Sequence, residues 1–533
     1  MKRLFWFFVW LVFFLTVTSP AVAQEQSYDV LIKNGHLLDG SGNPWYQADV
    51  ALKENRIAAL GELSEAKADT VIDASGLYVA PGFIDVHSHA APGLTEPSLS
   101  HARPLLAQGI TTVVVNPDGG GAVNLSRQRD SLLADGLGVN VAQLVPHGTI
   151  RDSVLGMADR VPTSGELKRM KALVRQGMEA GAFGLSSGPF YAPGSYAETE
   201  ELIALSKVAA EYGGVYQSHI RDESNYTIGV VAAVDEVIRI AQEAGLPGIV
   251  THIKALGPPV WGYSAAIERR IERARERDIE VFADQYPYDA SATSLEAALV
   301  PRWAQVGGRD SLLKRMSDPA VRPRLTRAME KNLKRRGGPA RIQFRRYESD
   351  PSIEGKTLAE VAGARSADPV ETAVTLIEEG EPGIVSYNMT AEDVHRFMRQ
   401  PWTMTSSDGG LVPMGEGVPH PRNYGAFPRK ISKFALGEDV IELGFAIRTM
   451  TKLSAAVFQM DGRGMLHEGA FADVIVFDPD RLRDEATFQK PHQLSKGMVH
   501  VLVNGQFAIR DGEFTGQLGG RGLSHHKSTR TGR

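Results

Sequence analysis

Two histidines one residue apart, His87 and His89, end the apolar stretch Ala80-Pro-Gly-Phe-Ile-Asp-Val-His-Ser-His89. Side chains two apart on an extended strand point the same way, so both imidazoles face one side. Neutral imidazole is a usual ligand for zinc and similar divalent ions, and a converging pair is half of such a site. A His-x-His pair alone is more often structural than metal-binding, so the inference depends on further ligands. Four more segments supply them: Asn116-Pro-Asp118-Gly, Gln217-Ser-His219-Ile-Arg221-Asp-Glu223, Thr251-His252-Ile-Lys254 and Thr405-Ser-Ser-Asp408-Gly. Each has a plain alternative, since a strand-end histidine is often a satisfied core group and Asp-Gly is a common turn. Six such residues (His87, His89, Asp118, His219, His252, Asp408), including four of only fourteen histidines, are hard to attribute to turn chemistry.

Something must bring these residues together. Apolar strand-like runs cover 79–86, 111–116, 139–145, 182–185, 214–218, 248–251, 280–283 and 402–406. Amphipathic helical segments alternate with them, as in 165–177, where Leu167, Met170, Leu173 and Val174 share a face. Eight strands alternating with helices imply an α/β fold, a parallel (β/α)8 TIM barrel over 81–460, with its chemistry at the strand C-termini. The charged, helix-rich stretch 295–347 breaks the rhythm and reads as an insertion after strand seven, placed to cover the barrel mouth. Short β-like runs at 24–80 and 461–515 are each too small to bury a core. They are expected to meet as one small β-sandwich domain. The polar stretch 516–533 is expected to be a disordered tail.

The 533 residues, 43% hydrophobic with a net charge of −5, carry no basic surface suited to nucleic acid. Lys2 and Arg3 precede an apolar run from Leu4 to Val17 and a small-x-small site at Ala21-Val-Ala23. That is the pattern of a signal peptide over 1–23, cleaved near Ala23, implying export to a periplasm or secretion and no stable membrane anchor. No cysteine is present, so neither disulfides nor thiolate ligands are available, which suits an oxidising compartment.

These residues resemble the amidohydrolase superfamily and, within it, the N-acyl-D-amino-acid deacylases (D-aminoacylases). The resemblance covers nearly the whole mature chain. It rests on Pro81-Gly-Phe-Ile-Asp-Val-His-Ser-His89, Gly184-Leu-Ser-Ser-Gly188 with Tyr191-Ala-Pro-Gly194, Ser218-His-Ile-Arg-Asp-Glu223, Thr251-His-Ile-Lys254, Asp284-Gln-Tyr-Pro-Tyr288 and Pro419-His-Pro-Arg422-Asn-Tyr-Gly-Ala-Phe-Pro-Arg429. It implies a tight metal site from Asp118, His219 and His252, and a weaker one from His87, His89 and Asp408. It further implies that Asp408 is the catalytic base and that Lys254, Tyr286 and Arg422 hold the substrate carboxylate. One departure stands out: the branch usually carries cysteine where this chain has Asp118. A carboxylate is harder than a thiolate and can bind through either oxygen. This favours two metals and widens the choice from zinc to manganese or cobalt.

The implied reaction is hydrolysis of the amide of an N-acyl-D-amino acid or a D-residue dipeptide by a metal-activated water. A bound divalent ion brings water's pKa from about 15.7 to about 7. Asp408 would take the water's proton and return it to the leaving nitrogen. Arg422 can pair bidentately with a carboxylate, and Tyr191 is expected to line the pocket. His147 reads as support rather than a ligand, and Arg221 and Glu223 as support behind the ligands or as inter-loop pairs. Cyclic-amide or isoaspartyl-dipeptide hydrolysis is the alternative within the superfamily. Its usual bridging lysine on strand four is missing from Ala182-Phe-Gly-Leu-Ser-Ser. A catalytically dead binding scaffold is the third option, and metal analysis separates it from the others. The oligomeric state is left open.

Overall fold

The computed structural model describes residues 27–525. The leader expected over 1–23 and the final part of the expected tail lie outside them. The chain begins with β1 (Tyr28–Leu37), β2 (Tyr46–Lys53), β3 (Arg56–Gly61), β4 (Ala68–Asp73) and β5 (Tyr78–Pro81). β1, β2 and β3 pair antiparallel in sequence, while β1 divides its other edge between β4 and β5, both parallel to it.

At Gly82 the chain passes from this sheet into a second one. A Cβ there would lie 2.2 Å from Thr111 Oγ1, so glycine alone allows this crossing. The continuous strand expected over 79–86 is therefore two strands in different sheets, β5 and β6 (Phe83–Asp85). After β6 come β7 (Ile110–Val115), β8 (Asn140–Gln143), β9 (Val145–Pro146), β10 (Gly184–Ser187), β11 (Val215–Ser218), β12 (Gly248–Val250) and β13 (Val281–Gln285). They pair in parallel, and β8 and β9 form one kinked path around Leu144, whose N–H donates to Val115 at 3.1 Å. β7 is Ile-Thr-Thr-Val-Val-Val and buried throughout, as a strand covered on both faces must be. The helices that cover the strands are amphipathic. Thr163 and Glu166 form a capping box at the start of Ser164–Glu179, which buries Met170, Val174 and Met178.

An inserted layer follows β13. It holds β14 (Ser291–Ser294), β15 (Ile342–Arg346) and β16 (Gly383–Ser386), an antiparallel sheet in the order β14-β16-β15. Its helices enclose a core of their own, including Leu299, Met329, Phe344 and Ile377. The layer thus runs over 291–386 rather than 295–347. Its later helices, Leu358–Ala364 and Pro369–Glu379, carry ordinary amphipathic patterns that read as part of the main repeat. They belong to the layer because β16 is the central strand that β14 and β15 need as a partner.

β17 (Thr403–Thr405) pairs in parallel with β13. Its extension meets the end of β6: Asp408 N donates to His87 O at 2.9 Å, and His89 N donates to Gly409 O at 2.8 Å. The last strands, β18 (Val474–Phe477), β19 (Met498–Val503), β20 (Gln506–Arg510) and β21 (Glu513–Phe514), return to the first sheet through β18 and β5. The two chain ends therefore build one continuous nine-stranded sheet.

Residues 516–525, expected to be a disordered tail, are packed. Gly520 N donates to Leu137 O at 2.8 Å, Leu523 N to Val141 O at 2.8 Å, and His525 N to Gly181 O at 2.9 Å. The segment is held by backbone hydrogen bonds, which its polar composition does not reveal.

A candidate metal centre

The ends of β6, β7, β11, β12 and β17 carry His87 and His89, Asp118, His219, His252 and Asp408 respectively, and the fold brings all six together. His87, His89, Asp118 and Asp408 each offer a ligand atom within 4.8 Å of the others, and so do Asp118, His219 and His252. Asp118 belongs to both groups. Its Oδ1 lies 3.5 Å from His87 Nε2, 3.6 Å from His252 Nε2 and 3.7 Å from His219 Nδ1, while its Oδ2 lies 3.4 Å from His89 Nε2. Asp408 Oδ1 is 3.2 Å from His89 Nε2 and 3.6 Å from His87 Nε2.

The backbone is strained to achieve this. Asp118, His252 and Asp408 have φ of 56°, 35° and 49°, a region seldom used by residues other than glycine and concentrated at functional sites. Gly188 makes room for one of them, since a Cβ on it would sit 2.3 Å from Asp118 O.

Buried polar atoms are ordinarily hydrogen-bonded. Here both ring nitrogens of His87 and His219, together with Asp118 Oδ1, are buried without a hydrogen-bond partner among the described residues. Unpartnered lone pairs of imidazole and carboxylate converging on a shared volume are the donor set of a divalent cation. The residues present fit such an ion. Burial opposes ionisation of Asp118 and Asp408. The surrounding imidazoles outweigh it for Asp118, and Arg422 with His89 does so for Asp408, so both carboxyls lie well below their usual range.

Behind the histidines stands Glu223, in one of the two places expected for it from the sequence. Its Oε1 is 3.1 Å from His252 Nδ1 and its Oε2 is 3.7 Å from His219 Nε2. One carboxylate thus backs two imidazoles, favouring the tautomers whose other nitrogens face Asp118. Lys254 pairs with Glu223 and lies 2.7 Å from His252 Nδ1. Lys254, expected at the substrate carboxylate, makes this pair and also lines the cavity. Two further acids hold the strand ends. Asp85 accepts from Ser407 N at 2.8 Å, and Asp284 accepts from His252 N at 2.9 Å and from Ser406 Oγ at 2.6 Å. Burial lifts Asp85 to about 6, against the pull of its bonds to Ser407. Both acids lie within visible motifs, but only the contacts reveal what they do.

His147 stays outside the ligand set: its Nε2 is 2.8 Å from Glu201 Oε1. The next turn supports the Asp118 loop, since Thr149 N donates to Gly119 O at 3.0 Å. Arg221 pairs with Glu236 at 2.7 Å, not with Glu223.

The remaining candidates line a cavity of about 850 Å³ above these ligands. Arg422 Nη1 is 2.7 Å from Asp408 Oδ2, and its guanidinium lies 4.7 Å from the centre of the Tyr286 ring. Tyr286 Oη and Arg422 Nε are buried and have no hydrogen-bond partner among the described residues. Tyr191 packs edge-on to His219 at 4.6 Å, and its hydroxyl lies 3.3 Å from Thr293 Oγ1 of the inserted layer. His420 is locked by a bond accepted from Arg422 N at 3.0 Å and a contact to Ala290 O at 3.0 Å. The inserted layer adds Ser291, Thr293, Ser294, Arg336 and Arg345 to the lining. None of the five was singled out from the sequence, because nothing local marks a residue inside an inserted layer as facing a distant site.

Comparison with known proteins gives a consistent picture. A family model described as the amidohydrolase family matches residues 70–509. The chain is 35% identical over 526 residues to a D-aminoacylase of Alcaligenes xylosoxydans xylosoxydans, covering 94% of this chain and 99% of that protein. Its fold is similar to the crystal structure of an N-acyl-D-glutamate deacylase from Bordetella bronchiseptica, complexed with zinc and a phosphonate mimic of the tetrahedral intermediate. There the TM-score is 0.80 at 33% identity, covering 94% of this chain and all (100%) of that one. A D-aminoacylase structure described as having a binuclear metal centre, with one-metal activation and second-metal attenuation, matches with a TM-score of 0.80 at 30% identity. It covers 93% of this chain and 100% of that chain.

Proposed function

The chain belongs to the amidohydrolase family, and from that premise we propose that it is a metal-dependent deacylase that hydrolyses the linear amide of N-acyl-D-amino acids. The observation that carries this reading is the set of six imidazole and carboxylate ligands, in two groups that share Asp118, at the floor of a cavity that also holds Arg422 and Tyr286. A binding scaffold needs no such set. In the same reading the eight parallel strands form a (β/α)8 barrel, supported by the hydrogen bonds that tie the end of β17 to the end of β6. The sheet built from both chain ends is a separate small domain, and the leader directs export to the periplasm.

His87, His89, Asp118, His219, His252 and Asp408 would hold one or two divalent ions, zinc before manganese or cobalt. Such an ion supplies an activated water and a polarised carbonyl when bound. Asp408, ionised under the influence of Arg422, accepts the proton of the attacking water. It then delivers that proton to the amide nitrogen as the C–N bond breaks, releasing the acyl group as a carboxylate and a free amino acid. Tyr286 and the unpaired edge of Arg422 hold the α-carboxylate, and Tyr191 bounds the acyl side. Glu223 and Lys254 keep His219 and His252 oriented and take no part in bond making.

The test is an assay of the purified full chain, loaded with zinc, manganese or cobalt, on paired N-acetyl-D- and N-acetyl-L-amino acids. Release of the D-amino acids is expected. Hydrolysis of neither series, with metal shown to be bound, would sink the proposal.

A further inference from the structure

The cavity lining carries four cations, more than a single substrate carboxylate needs. Its lining includes Lys254, Arg336, Arg345 and Arg422 against Asp118, Asp152, Glu223 and Asp408. Any bound divalent ion leaves the whole strongly positive, because ligating imidazoles are neutral. Two of these cations already have partners: Lys254 pairs with Glu223, and Arg422 with Asp408. Arg345 and Arg336 have no acidic partner among the described residues. Arg345 Nε is buried and receives no acceptor, and the same is true of Arg336 Nη1. Arg336 is held by donating Nε to Tyr226 Oη at 2.8 Å. A buried guanidinium N–H without an acceptor is costly, and each of these arginines has one, so both point to an anion supplied from outside the chain.

Arg345 sits at the end of β15 in the inserted layer, with its backbone carbonyl accepting from Val418 N at 2.7 Å. That bond ties it to the segment leading into Arg422, on the side of the cavity assigned to the amino-acid half of the substrate. Burial and repulsion by Arg422 both depress its pKa, to about 10, consistent with two cations facing one space. Arg422 still offers Nε and its second Nη for one carboxylate, the planar fork that such groups recognise.

We propose that Arg345, seconded by Arg336, forms an anion subsite for a second carboxylate, so that the preferred substrates are N-acyl derivatives of acidic D-amino acids. This rests on the deacylase reading above and narrows its substrate class. The competing assignment gives Arg345 a share in the single α-carboxylate. That would make every substrate equally dependent on it.

The experiment measures kcat/KM of the metal-loaded enzyme and of Arg345→Gln and Arg336→Gln on N-acetyl-D-glutamate and its neutral isostere N-acetyl-D-glutamine. The wild type is expected to favour the glutamate by about a hundredfold. Arg345→Gln should lose most of that preference while changing the glutamine rate less than threefold, and Arg336→Gln should show a smaller loss in the same direction. Equal wild-type rates on the two substrates would overturn the proposal. So would an equal loss on both in Arg345→Gln. Thermal stabilisation by glutarate against butyrate is a second measurement that needs no turnover. If no N-acyl-D-amino acid is hydrolysed, the deacylase reading fails. The subsite still stands if glutarate stabilises the wild type but not Arg345→Gln, and falls if it stabilises both equally or neither.

Discussion

Arg422 Nη1 lies 2.7 Å from Asp408 Oδ2, joining the residue assigned to the substrate carboxylate to the residue assigned as base. The pair lies in a cavity where both partners are buried, so the arginine holds the aspartate ionised against desolvation. Removing the arginine must therefore change more than substrate affinity. In Arg422→Met the Asp408 pKa rises, and since the ionised form is the active base, activity is lost as pH falls. The acid limb of the kcat/KM profile should move upward by about a unit or more. An unmoved limb with raised KM alone would show that Arg422 acts only on substrate.

Asp408→Asn keeps the shape of the side chain and removes the proton acceptor. Turnover should drop by about 10²–10⁴, the range for loss of a general base. Metal content, measured on the same preparation by elemental analysis, should stay near the wild-type level, because five ligands are left. A variant with near-normal rate would exclude Asp408 as the base.

Glu223→Gln tests the shared carboxylate behind His219 and His252. Orienting partners of ligating histidines typically contribute 10–100-fold in metal affinity. A zinc affinity lower by about that factor is expected, with activity recovered at saturating zinc and the melting temperature little changed. Unaltered affinity would reduce Glu223 to a partner of Lys254.

Asp118 presents Oδ1 to three histidines and Oδ2 to His89. A thiolate has one donor atom and is softer. In Asp118→Cys the second equivalent of metal should bind at least tenfold more weakly than in the wild type, and manganese should lose more than zinc. Calorimetric titration with each ion reads both effects.

Lys430 is buried and, among the described residues, has only Thr405 Oγ1 at 2.8 Å and Thr449 Oγ1 at 2.9 Å as acceptors, and burial pushes its pKa down to about 7. An unfolded chain holds that proton up to about 10.4. Between the two values the unfolded state therefore binds more protons, and stability rises with pH through this window. Lys430→Met should remove that slope and raise the melting temperature at pH 7, the effect shrinking toward pH 10. A lower melting temperature at pH 7 would show that the two hydroxyl bonds outweigh the desolvation.

Much of the site was legible along the chain. His87 and His89 announced a shared direction through their spacing, and the other ligands stood at the ends of apolar runs. Strand and helix periodicities located the main elements within a few residues. The misjudged regions share a cause. The break at Gly82 depends on the close approach of Thr111, the extent of the inserted layer on β16 pairing with two distant strands, and the docking of 516–525 on backbone bonds to Leu137, Val141 and Gly181. None of these contacts has a local composition signal.

The sequence by itself therefore determined which chemical groups are available: imidazoles and carboxylates at strand ends, a carboxylate where a thiolate is usual, and no cysteine at all. Tertiary structure alone decided how they are shared. It set Glu223 behind two histidines, turned the two oxygens of Asp118 to different partners, paired Lys254 with Glu223, and left Arg345 in the cavity without an acidic partner among the described residues. Residue type and near-neighbour spacing are written along the backbone, whereas charge pairing depends on distances between atoms whose residues lie tens to hundreds apart. Those distances exist only once the strands have closed on one another.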